Sequence, residues 1–302
     1  MTDNSTARAG LLYGVGAYLI WGSLPLYFKL LAHVPASQVL AQRVLWSVLL
    51  LLVTVVALKR LPAIRAAATP RVLLLLSASA FLIAVNWLVY IWAVANAHVL
   101  EASLGYFINP LINVALGMVV LRERVSPVQG AAVALAALGV LAMAVSGGGA
   151  LWISLTLALS FGTYGLLRKV VAIDALGGLF IETLILAPFA VAMLLYAGWA
   201  GEGAFGRDTG TDLLLVASGV VTALPLLLFA SAARRLPYAT VGLLQYMAPS
   251  MAFLQAVLLF GEPLRPVHLV TFGLIWAGCG LYAWDSVRGA RRAKRTPVPV
   301  EA

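Results

Sequence analysis

Long apolar runs alternate with short polar breaks along the whole chain. Ten runs predict helices, at 9–31, 38–57, 72–95, 100–120, 127–145, 150–167, 178–199, 212–232, 238–260 and 267–286. Each is apolar on all sides, and each approaches the ~20 residues that carry a helix across the hydrocarbon core of a bilayer. In lipid a segment must satisfy its own backbone hydrogen bonds, so helices are the expected form. The breaks are short apart from 58–71 and 200–211. The first run exceeds a signal peptide in length and has no small-residue cleavage site, which predicts a retained first transmembrane helix.

The pattern occurs twice. Leu104, Phe107, Pro110, Glu123, Pro127 and Gly139 return 139 positions later as Leu243, Tyr246, Pro249, Glu262, Pro266 and Gly278. Trp21-Gly22-Ser23 with Lys29 returns 140 positions later as Phe161-Gly162-Thr163 with Lys169. A repeat of this length in an apolar chain predicts two halves on one plan, an architecture common among transporters, with the substrate site between the halves.

Composition fixes the solvent. Of 302 residues, 63% are hydrophobic and only 10% charged, against about 25% charged in soluble domains. With a mean hydropathy of +1.00, the chain has too little polar surface to cover a water-facing core. The lone Cys279 excludes an intrachain disulfide, and His33, His98 and His268 form no spaced metal-ligand set; no metal or cofactor is expected. No Gly-rich Lys-Ser/Thr phosphate loop is present, so the chain has no ATP site of that kind.

Charge then orients the chain. With the N-terminus in the cytoplasm, sixteen of the twenty Lys and Arg fall at inner breaks, three (Lys29, Arg207 and Arg265) at outer ones, and Arg43 lies within a span. This bias is the positive-inside pattern and predicts both termini inside. The formal charge of +9 is thus a topology signal rather than a nucleic-acid surface; the basic tail at 289–302 is expected against anionic lipid headgroups. Five spans per half is an odd number, so the second half must run upside down. The expected architecture is an all-α membrane protein of ten transmembrane helices, with a first repeat at 1–147 and an inverted second repeat at 148–288.

Asn109-Pro110 through Val120-Leu121-Arg122-Glu123, then a helix with Gly139, resembles the EamA repeat of the drug/metabolite transporter superfamily. Ala248-Pro249 through Phe260-Gly261-Glu262-Pro263, then Gly278, is the second copy, with Gly261-Glu262 where the first has Arg122-Glu123. Tyr18-Leu19-Ile20-Trp21-Gly22, Tyr27-Phe28-Lys29, Gln42-Arg43-Val44, Asn86-Trp87-Leu88, Leu100 through Pro110, and Gln245-Tyr246 resemble the RarD-like subgroup, named for an association with chloramphenicol sensitivity. The resemblance covers roughly 10–288 and implies a ten-helix carrier of a bacterial inner membrane with cytoplasmic termini. It implies no substrate.

Candidate site residues follow from cost and depth. Arg43 sits six residues into its span, ~9 Å below the outer surface, where a central arginine costs about 2.5–3.5 kcal/mol. Binding, an ion pair and snorkelling to the headgroups are its alternatives. Asn86, Tyr106 and Asn109 reach a similar depth, and Glu101 at the outer edge is either a partner for Arg43 or a helix N-terminal charge. Glu182, near the repeat counterpart of Arg43, either couples transport to a proton, meets an amine or faces water at a helix end. Pro110 and Pro249 are matched helix breaks beside the polar residues Tyr106, Asn109, Gln245 and Tyr246, which marks a binding region. Trp21 and Trp87 lie deep enough to line a cavity or to pack in the core, whereas Trp152, Trp199 and Trp284 read as belt residues. Glu123 and Glu262 read as structural helix-end residues.

Together these features predict a secondary transporter of small organic solutes, an exporter working by alternating access, with the bilayer and the solute as its partners. A channel or a non-transporting scaffold are the alternatives. An embedded enzyme lacks a catalytic set at membrane depth. Oligomeric state is not legible in the sequence.

Overall fold

The computed structural model describes residues 4–120, 122, 126–146, 150–233, 235–236 and 244–293. Glu123, Leu243 and the end of the basic tail lie outside the described residues. Among the described residues the chain is α-helical, with no strand. The helices are α1 (Asn4–Gly22), α2 (Leu24–Leu30), α3 (Ala36–Ala57), α4 (Leu61–Ala67), α5 (Pro70–Ala95), α6 (Val99–Val119), α7 (Pro127–Val145), α8 (Leu151–Val170), α9 (Ala175–Trp199), α10 (Thr209–Ala233), α11 (Met247–Leu254) and α12 (Pro266–Ala293). A π turn at Gln255–Leu259 continues α11.

The helices start and stop where local chemistry says they should. Thr69, Ser126, Asp174 and Asp208 accept the first free amides of α5, α7, α9 and α10, replacing partners the helix itself cannot supply. Lys59, Ala97 and Gly201 take left-handed backbone angles at the ends of α3, α5 and α9. Each is followed by an amide that reaches back five residues, from Arg60 to Val55, His98 to Ala93 and Glu202 to Ala197, the closing bond of a Schellman motif.

Sequence and structure differ in detail. The first apolar run is two helices, because the chain breaks at Ser23 and Pro25 restarts it within the first turn of α2. The break at 58–71 holds the short helix α4. Seven stretches among the described residues are long and apolar enough to cross a membrane: Arg8–Leu30, Ala36–Ala57, Pro70–Ala95, Pro127–Val145, Ala175–Trp199, Thr209–Phe229 and Pro266–Asp285. Their outward faces are apolar; Leu12, Leu74, Val145 and Phe189 are each more than 70% exposed. In water such a surface would associate; in lipid it is the expected one.

Helices pair mainly across the midpoint of the chain. α7 packs on α12 and α3 on α9, each helix meeting its own repeat counterpart. The other main pairs come in matched sets: α6 with α8 and α1 with α11, α5 with α8 and α1 with α10, α3 with α10 and α5 with α9. This is the pattern a pseudo-two-fold axis produces. The repeat-matched glycines sit at the α7–α12 crossing. A Cβ on Gly278 would meet the Ala132 carbonyl oxygen at 2.8 Å, and one on Gly139 the Thr271 carbonyl oxygen at 3.1 Å. Small residues let the backbones approach, and Thr271 Oγ1 donates to the Gly139 carbonyl at 3.1 Å.

Candidate functional site

Arg43 lies on the buried face of α3 and is 5% exposed. Its neighbours come from α10 and α5, which pack on α3, and from α2 and α6. Nε donates to Thr222 Oγ1 on α10 at 2.7 Å. The Trp87 ring from α5 covers the guanidinium at 4.2 Å, and the Phe28 ring from α2 lies at 5.6 Å. Tyr27, Tyr90 and Tyr106 are close enough to interact electrostatically with the charge. Cation–π contacts of this kind contribute about 0.5–2 kcal/mol each.

A second layer is joined to the first through Tyr106. Its hydroxyl donates to Asn86 Oδ1 at 2.9 Å, and Asn86 Nδ2 donates to the Leu157 carbonyl at 3.1 Å and to Ser160 Oγ at 3.0 Å on α8. The Tyr106 ring packs edge-on to Tyr90 and Phe161. Arg43, Trp87, Asn86 and Tyr106 therefore form one cluster, with walls from both halves of the chain.

Other sequence candidates sit elsewhere. Trp21 packs with Tyr18 and Phe229 rather than near Arg43. Tyr246 stacks on Phe107, and the Oδ1 of buried Asn109 lacks a hydrogen-bond partner. Gln245 is half-buried in the turn before α11. A groove of about 300 Å³, lined by Leu19, Ile20, Ser23, Leu24, Tyr27 and Val221, adjoins this cluster at Tyr27.

Three expectations need correction. Arg43 and Glu101 do not pair: Glu101 Oε2 meets His98 Nδ1 at 3.5 Å in the first turn of α6, a helix that is not among the main partners of α3. Pro110 does not break its helix but lies inside a continuous α6. In the second copy the helical run is interrupted by a turn at Gln245–Tyr246, and Pro249 lies in the first turn of α11, where its missing N–H costs no intrahelical bond. Glu182 is not a water-exposed end residue; it is fully buried.

Glu182 has its own cluster on α9. Ser79 Oγ donates to Oε1, Tyr164 donates to Oε2 at 3.3 Å, and Arg168 Nη1 lies 3.7 Å from Oε1. Arg168 Nη1 makes no hydrogen bond, so this is a charge pair rather than a bonded bridge. Its Nη2 faces the Asp174 and Ala175 carbonyls, and Asp174 itself pairs with Arg60. Gly178 makes the reach feasible: a Cβ there would fall 1.6 Å from Nη1.

Glu262 proves to be a cap between halves. Its two carboxylate oxygens accept the Val99 and Leu100 amides of α6, each at 2.8 Å. Burial pushes its carboxyl above the usual range, opposed by those two amide bonds. Sequence reasoning missed Thr222, Phe28, Arg168 and Ser79 as site neighbours. Tyr27 and Phe28 stood in a recognised block without a role, while a lone mid-helix threonine or serine carries no signal.

A model of the EamA-like transporter family matches residues 8–145 and again 147–284. An uncharacterised transporter of Pseudomonas aeruginosa is 49% identical, over 94% of this chain and 96% of the relative. The protein RarD of Streptomyces exfoliatus is 45% identical, over 97% and 94%. A crystal structure of a protein at 17% identity is similar with a TM-score of 0.59, over 93% of this chain and 98% of that one, which is a likeness of fold.

Proposed function

The chain belongs to the EamA-like transporter family, and from that premise we propose that it is a secondary transporter carrying small organic metabolites or drugs across a bacterial cytoplasmic membrane, in the export direction. Several apolar helices and the family make it a multi-pass membrane protein. The family and the names of its relatives point to a transporter rather than to an enzyme. The topology we propose is ten spans with both termini cytoplasmic, as two inverted five-helix repeats. The matched pairing of helices across the midpoint supports it.

One observation carries the reading: a buried, polar and aromatic cluster lies where the halves meet. Arg43 bonds to Thr222, Asn86 to Leu157 and Ser160, and Ser103 Oγ to the Pro249 carbonyl at 2.9 Å, each bond joining one half to the other. Rocking one half against the other would open this cluster first to one side and then to the other. A solute binding the two states unequally shifts their balance. Arg43, Trp87, Asn86 and Tyr106 are the binding residues in this reading, with Asn109, Gln245, Tyr246 and Trp21 contributing as the helices move. Glu101, beside His98, and Glu182, beside Arg168, are the coupling candidates, because a proton on either weakens its charge pair. Purified protein in proteoliposomes tests the proposal: saturable flux of a labelled solute is expected. Unsaturating conductance, or no flux across a broad panel of solutes, would overturn it.

A further inference from the structure

We propose that the solute held at Arg43 is an organic monocarboxylate with a flat apolar body. The inference rests on the transport reading above and names its substrate class.

A guanidinium stays charged in a protein, and Arg43 is almost wholly buried. Among the described residues no carboxylate lies within 4 Å of it. An uncompensated buried charge costs several kcal/mol; the Thr222 bond and two ring faces offset part of that cost but supply no counter-charge. The missing partner is an anion. Ser47 supplies a second observation. It lies one turn along α3 on the same face, is fully buried, and its Oγ has no hydrogen-bond partner. A guanidinium fork with a nearby free hydroxyl suits the two oxygens of a carboxylate. One buried cation matches one negative charge; a phosphate monoester carries about −1.5 to −2 and would leave charge unmatched. The Trp87 and Phe28 rings lie beside the guanidinium, so an anion at Arg43 sits next to aromatic side chains, whose apolar surroundings favour a flat apolar body.

Matched solutes that differ only in charge test this on the full chain. Phenylacetate against phenylacetamide, and indole-3-acetate against its amide, would be compared by thermal shift and by counterflow in proteoliposomes, with chloride and inorganic phosphate alongside. The acids should bind, their amides should bind roughly tenfold to hundredfold more weakly, as loss of a charge-assisted bond implies, and Arg43→Gln should erase the difference. Arg43→Lys keeps the charge without the fork and should retain part of the preference. Equal binding of acid and amide, an acid preference surviving in Arg43→Gln, or binding of chloride or phosphate alone would overturn the proposal. Saturable flux of neutral or cationic solutes without any of carboxylates would sink the carboxylate inference and leave the transport reading standing. No flux of any solute by the wild-type chain would remove both.

Discussion

Arg43 and Glu182 stand 139 positions apart on α3 and α9, two helices that pack on one another. They are close to repeat counterparts, both are buried, and they carry opposite charge. Their surroundings differ. Glu182 has Arg168 at 3.7 Å and two hydroxyl donors. Arg43 has Thr222 and aromatic faces, with no carboxylate within 4 Å among the described residues. Duplication supplied the same place twice, and the two copies have diverged. One charge is answered within the chain; the other is held open at the meeting point of the halves. On the proposed reading, the internally matched charge serves folding or switching and the unmatched one serves the ligand.

Breaking the matched side should have the largest effect. Arg168→Ala leaves buried Glu182 with its two hydroxyl donors but no counter-charge, a loss that reaches at most about 3–5 kcal/mol; thermal unfolding in detergent reads it. Adding Glu182→Gln should recover much of that loss, and strict additivity of the two changes would refute the pairing. Gly178→Ala comes next. Its Cβ would occupy the guanidinium's position, so the loss should approach that of Arg168→Ala. In an Arg168→Ala background the same change should cost less than about 0.5 kcal/mol, since its victim is already gone.

Smaller changes probe the Arg43 side. Tyr106→Phe removes the donor to Asn86 Oδ1 and should cost about 1 kcal/mol, with a weaker solute affinity in counterflow. The smallest effect concerns the start of α10, the helix that brings Thr222 to Arg43. Hydrogen bonds from the Thr211 amide and hydroxyl hold the Asp208 carboxyl below the usual carboxylate range. Its folded pKa is lowered, so its contribution is present above the unfolded value of ~3.9 and is lost as pH falls through the folded one. Unfolding scans at falling pH should show that loss in the wild type, and Asp208→Asn should remove only that component.

Much of the fold was legible because its cause is local. Apolar runs predict helices wherever the solvent is lipid, and each of the ten runs overlaps helix among the described residues. Gly139 and Gly278 stand out as a repeated pair, and both lie in the α7–α12 contact, one against Thr271 and the other against Ala132. What stayed hidden depends on which helix faces which. Arg168 reads in sequence as one of the inner-break charges, yet it turns inward because Gly178 leaves room. Depth alone makes Glu101 a partner for Arg43, but depth does not give the neighbour, and His98 lies one turn away. Matched prolines suggest two breaks, but only the second copy has one: the chain turns at Gln245–Tyr246 just before Pro249, while α6 runs on through Pro110. That segment is irregular again at the π turn Gln255–Leu259, which no single residue announces.

The difference between the two charges is tested most directly by measuring Arg43→Gln for solute flux and for melting temperature on the same preparation, beside Arg168→Ala. Arg43→Gln should lose flux while its melting temperature stays level or rises, since an uncompensated buried charge has been removed, and Arg168→Ala should lose melting temperature. If Arg43→Gln instead melts several degrees lower and still carries solute at the wild-type rate per folded molecule, Arg43 is a structural residue and the account is wrong.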